Sequence, residues 1–113
     1  MKIVEKQITI KELKEMSSKM FGSLVKAVVD IEQEILVVDA GLHSDQESYL
    51  LDRGSKQTDL WGINIHPELK GDERIEFDSM INLRPIDGNF SRGVDDTKIQ
   101  KKILDIVNSK IKE

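Results

Sequence analysis

The sequence predicts an α+β fold: an antiparallel sheet of about four strands with helices packed on one face, in the order α-β-β-α-β-β-α. Three observations predict it. Short runs rich in β-branched residues are joined by short polar links, the pattern of hairpins. Apolar residues recur at helical spacing behind capping residues. No alternation of buried parallel strands with crossover helices is present, which leaves helices beside an antiparallel sheet.

Met1 to Ile8 reads as an extended lead-in and an edge strand. Thr9, followed three residues on by Glu12, is a capping box. Ile10, Leu13, Met16 and Met20 then share one helical face, and Gly22 stops the helix. Such a Met stripe belongs in a core. Leu24–Ile31 and Ile35–Val38 are strands joined by Glu32-Gln33-Glu34. The runs Ala27-Val28-Val29 and Ile35–Val38 within them are apolar on both faces, which places the two strands centrally in the sheet or under a helix. Ser44 with Glu47 suggests a second capping box, and Gly54 suits the C′ position of that helix. Leu60–His66 reads as a strand ended by Pro67. Lys70-Gly71-Asp72-Glu73 turns the chain, and Arg74–Arg84 is the longest strand candidate. Pro85–Val94 is a loop with two glycines. Asp95 or Asp96 caps a final helix carrying Ile99, Ile103, Ile106, Val107 and Ile111.

The totals bound the function. The chain has 113 residues, which fits a single domain over 1–113. Apolar residues make up 38% and charged residues 34%, too apolar for a disordered chain. The net charge is −4, so binding nucleic acid by bulk electrostatics is not expected. There is no cysteine, which removes disulfides, thiolate zinc sites and a Cys nucleophile together. No apolar run suggests a signal peptide or a membrane span, so the expected location is the cytoplasm.

Chemistry is sought in the segment from Asp59 to Asp96. Alternation along Arg74–Arg84 puts Ile75, Phe77, Ser79, Ile81 and Leu83 on a core face. It puts Arg74, Glu76, Asp78, Met80, Asn82 and Arg84 on the other, a polar row at roughly 6–7 Å intervals. Asn64 and His66 join that row if Leu60–His66 pairs with it. The row is either a ligand surface or the ordinary wet side of an antiparallel sheet. Arginine usage bears on the choice. The chain has thirteen lysines and four arginines, yet no lysine lies between Gly71 and Thr97, where three of the arginines do. A local switch to arginine suits bidentate contact with carboxylate or phosphate, or else internal pairing with Glu76, Asp78 or Asp87.

The loop Asp87–Val94 leads into a helix N-terminus, where backbone amides attract anions and Asn89, Ser91 and Arg92 add donors. Asp95 and Asp96 oppose an anion there. The candidate binding residues are therefore Asn64, Glu76, Asp78, Asn82, Arg84, Asn89, Ser91 and Arg92. Catalytic residues are not identifiable. A triad of His66, Asp78 and Ser79 fails because Ser79 and Asp78 point to opposite faces. His43 and His66 lie in separate elements without metal-ligand spacing, and no metal or cofactor is implied. His43 reads as a surface or capping residue. Trp61, beside Gly62, reads as core packing.

Lys26-Ala27-Val28-Val29-Asp30, Trp61-Gly62-Ile63-Asn64, Phe77-Asp78-Ser79-Met80-Ile81-Asn82, Arg84-Pro85, and Asn89 with Ser91-Arg92-Gly93-Val94 carry a family resemblance. The chain resembles, over nearly its whole length, a small family of uncharacterised prokaryotic proteins classed as a domain of unknown function. The resemblance implies a domain that stands alone, and it assigns no activity, cofactor or partner. The expected function is a non-catalytic binding domain that uses the polar sheet face and the 87–94 loop for a small anionic ligand or a protein. The alternative is a small hydrolase or toxin-type ribonuclease, which the acidic balance disfavours.

Overall fold

The computed structural model describes residues 1–113. The elements are β1 (Lys2–Val4), β2 (Ile8–Thr9), α1 (Ile10–Lys19), β3 (Val25–Asp30), β4 (Ile35–Val38), α2 (His43–Asp52), β5 (Leu60–Ile65), β6 (Ile75–Glu76), α3 (Thr97–Lys110) and β7 (Ile111–Lys112). Short 3-10 turns lie at Gln57–Asp59, Gly71–Arg74, Met80–Asn82 and Pro85–Asp87. One five-stranded antiparallel sheet has the order β1-β4-β3-β5-β6. β2 and β7 form a separate parallel pair that ties the start of the chain to its end.

The α+β class stands, with five strands in the main sheet rather than about four. The extra strand is the lead-in, whose Lys2–Val4 docks on β4 as an edge strand. The β3–β4 hairpin forms as expected. Its strands are apolar on both faces because both faces are covered. Val25, Ala27, Val29, Leu36 and Val38 face a core with Leu13 of α1 and Ile103, Ile106 and Val107 of α3. Val28 and Val37 face Leu50 of α2 and Leu60. Two helices thus cover one face, and α2 lies on the other. The short helix carrying Leu50 is needed there because β3 is buried on both faces from Ala27 to Asp30.

Helix starts follow local chemistry in two cases and depart from it in one. Thr9 and Glu12 make the reciprocal capping box, and Asp96 caps α3. The Ser44–Glu47 capping box does not form. Instead α2 begins at His43, with Leu42 at the cap position and no side-chain cap. The His43 ring reaches Ile63 O at 2.7 Å, which holds the cap position at Leu42, two residues before the expected Ser44 cap. At the other end of α2, Gly54 adopts φ 100°. Ser55 N–H donates to Leu50 O and Gly54 N–H to Leu51 O, a Schellman ending.

The main correction concerns Arg74–Arg84. Only Ile75–Glu76 is strand. The Asn64↔Glu76 pairing does occur, so Asn64, His66 and Glu76 meet. Beyond Glu76 the chain leaves the ladder and turns at Met80–Asn82. Ser79 Oγ accepts from Ile81 N–H, a local bond that competes with strand pairing. The free edge of β5 is then closed by side chains. Asn82 Oδ1 accepts from Gly62 N–H at 2.8 Å, and its Nδ2 donates to Gly62 O at 2.9 Å. One amide side chain thus reproduces both bonds of a ladder partner, which protects an otherwise open edge. Arg84 Nη1 takes the next edge carbonyl, Leu60 O, at 2.8 Å.

Candidate functional site

The eight candidate residues separate into an inner and an outer set. Asn64, Asn82, Arg84 and Asn89 are buried. Glu76, Ser91 and Arg92 are exposed, and Asp78 is half-buried.

The inner set holds the loop from Phe77 to Asp95 in place. Asn82 also donates to Arg92 O at 2.9 Å. Asn89 Nδ2 contacts Asn82 O, Ser91 O and Gly93 O at 2.7, 3.1 and 2.9 Å, and its Oδ1 accepts from Asp95 N–H. The Arg84 guanidinium lies 4.4 Å from the centroid of Trp61. Its Nη1 donates to Gln57 O and Leu60 O. Its Nε lies 3.6 Å from Asp87. Burial pulls this guanidinium below its usual basicity, and the charges of Asp87 and Glu47 oppose that pull. The internal pairing foreseen for the arginines is thus realised at Arg84, against main-chain carbonyls more than carboxylates.

The outer set is paired within the chain. Arg92 Nε donates to Asp78 Oδ1 at 2.8 Å. Ser91 Oγ donates to Asp95 at 2.5 Å, and that bond lowers the Asp95 pKa. Glu76 accepts from Asn64 and His66, and those two bonds hold its carboxyl below the usual range. No continuous polar row exists, because the strand that would carry it ends at Glu76.

The polar set misses what the loop shows to solvent. Arg84 and Asn89 face each other in an isolated antiparallel bridge, with N–H···O bonds of 3.0 and 3.1 Å in both directions. Pro85-Ile86-Asp87-Gly88 closes it, and Gly88 supplies the left-handed residue at φ 85°. Since Arg84 and Asn89 point inward, strand alternation turns their neighbours Leu83 and Phe90 outward. Phe90 is 71% exposed and Ile86, at the tip, 96%. Leu83, expected on the core face, is exposed as well. The available signal was an isoleucine inside a Pro-x-Asp-Gly turn, where no core can reach it.

A cavity of about 340 Å³ lies behind this loop, against Trp61, Arg84, Asp87 and Asn89. Trp61 Nε1 and Arg84 Nε have no hydrogen-bond partner, but both are closed to solvent and so offer nothing to a ligand in this conformation. Trp61 itself packs in the main core, as expected, and Ser79 is buried.

His43 departs from its expected surface role. It is 7% exposed, and burial lowers its pKa below the ordinary 6.5. Ile63 O only accepts, so the neutral ring carries its proton on Nε2. An unfolded chain takes up a proton on this residue below about pH 6.5, while the folded chain resists doing so. Stability from His43 is therefore complete above that value and falls as pH drops through it. Urea midpoints at pH 7.5 and 5.5 check this: the parent loses stability over the interval, and His43→Gln loses less.

No helix is long and apolar enough to cross a membrane. No curated protein and no solved structure matches the chain. A family model does match, over residues 2–110. The chain therefore belongs to the family described as a protein of unknown function, DUF5674.

Proposed function

We propose that this is a non-catalytic protein-binding domain that presents the loop Leu83–Phe90 to a partner. One observation carries the proposal: Ile86 and Phe90 are exposed on a loop whose polar side chains, Asn82, Arg84 and Asn89, are turned inward. A polar loop ordinarily does the reverse. Each large apolar side chain left in water forgoes about 1.5–3 kcal/mol that burial against a partner recovers. The loop is fixed by the bonds of Arg84 and Asn89, so little ordering cost falls on association. Asp87, Asp95 and Asp96 are exposed nearby, which suits an apolar socket with a basic rim.

A photo-crosslinking residue at position 86, in the native cell, tests this. The expected result is one dominant cross-linked protein, lost when Phe90→Ser is added and absent when the probe sits at Lys101 on α3. Identical products from positions 86 and 101 would overturn the proposal.

A further inference from the structure

A second cavity, of about 180 Å³, opens on the α2 side of the sheet. Its walls include Lys26 of β3, His43 and Ser44 of α2, and Ser79 and Arg92 of the loop. We propose that it binds a phosphate group that keeps a proton, either inorganic phosphate or the phosphate of a small ester.

Two cations from separate elements line the cavity. Arg92 gives only its Nε to Asp78, so both terminal nitrogens are without a partner in the chain. Lys26 Nζ lies over the Phe21 ring at 5.2 Å and makes no ion pair. The first turn of α2 has no side-chain cap, and the Ser44 hydroxyl that was expected to cap it makes no hydrogen bond. Asp45, the acidic residue of that turn, is not among the cavity walls. Uncapped amides at a helix start favour an anion.

The independent observation is His43, more than nine-tenths buried and lining the same cavity. Its Nε2–H is committed to Ile63 O, and its Nδ1 makes no hydrogen bond in the chain. In the neutral ring Nδ1 is an acceptor. A ligand there needs anionic oxygens for Lys26 and Arg92 and one O–H for Nδ1. Hydrogen phosphate supplies both. Sulfate, which carries no proton near neutrality, sets an oxygen lone pair against that of Nδ1. The site is separate from the Ile86–Phe90 face, and its test does not depend on that face.

Titration of the whole chain at pH 6.5 with inorganic phosphate, glycerol phosphate and sulfate at matched ionic strength tests the proposal. The readouts are heat and the His43 ring proton resonances. The expected result is saturable binding of at least one phosphate source, with sulfate at least tenfold weaker and the His43 resonances shifted. The tighter phosphate source identifies the carrier. Arg92→Gln and Lys26→Gln, both at positions outside the core, are expected to weaken binding about tenfold with unchanged melting. Equal response to sulfate, no saturable binding of either phosphate, or indifference to both substitutions would each overturn the proposal.

Discussion

Gly62→Ala is expected to lower the melting temperature by on the order of 10 °C, from an overpacking cost of about 3 kcal/mol. Gly62 lies in β5, opposite Val28 of the central strand β3. A Cβ at this position would sit 2.5 Å from Ser79 Cβ, 2.6 Å from Ser79 Oγ and 3.1 Å from Ile81 Cγ1. Ser79 is buried and cannot swing aside. The loop must instead lift, and lifting it strains the Asn82 bonds to the same residue. The clash has a specific remedy. Ser79→Gly removes both close atoms, so the pair Gly62→Ala with Ser79→Gly should be more stable than the sum of the single effects by at least about 1 kcal/mol. Thermal melts of the four proteins measure this. Simple additivity would mean that Gly62 is not held by contact with Ser79.

Asn82→Ala is the second large effect. The residue is fully buried, and its amide satisfies the Gly62 N–H, the Gly62 carbonyl and the Arg92 carbonyl. Truncation strands three main-chain groups at a site with little room for water. At about 1–3 kcal/mol for each group left unpaired, and with partial relaxation, the loss is expected to be about 3–5 kcal/mol. Asn82→Asp is no rescue, because a carboxylate faces two carbonyl oxygens and donates nothing to either. Urea unfolding of both variants checks this, and a near-neutral Asn82→Asp would contradict the hydrogen-bond assignment.

The sequence made the hairpin, the helices at Thr9 and Asp96, and the two-sided burial of β3 and β4 legible, because each rests on local pattern. That Asn64 and Glu76 share a face followed from the same alternation, but their register did not. The end of strand pairing after Glu76 was not legible. Phe77–Leu83 alternates as a strand would, but Ser79 and Asn82 use their side chains where a strand uses its backbone. Which face a buried amide serves depends on a contact twenty residues away at Gly62, and no periodicity records that. The orientation of the candidate residues was therefore not legible: Asn82 and Arg84 bind the loop to β5, and Asn89 binds the loop to itself. Ile86 was passed over because its signal is one turn, Pro85-Ile86-Asp87-Gly88, and no periodicity, and His43 because its partner, Ile63 O, belongs to a strand it precedes by twenty residues.

Polar side chains anchor this loop, and apolar ones are presented by it. Equilibrium urea unfolding of Ile86→Ser with Phe90→Ser, beside Asn89→Ala, tests that division most directly. The apolar pair is expected to stay within about 0.5 kcal/mol of the parent, as exposed substitutions do. Asn89→Ala is expected to lose at least about 2 kcal/mol, from the main-chain groups it leaves unpaired. A destabilised apolar pair beside a near-neutral Asn89→Ala would contradict that division.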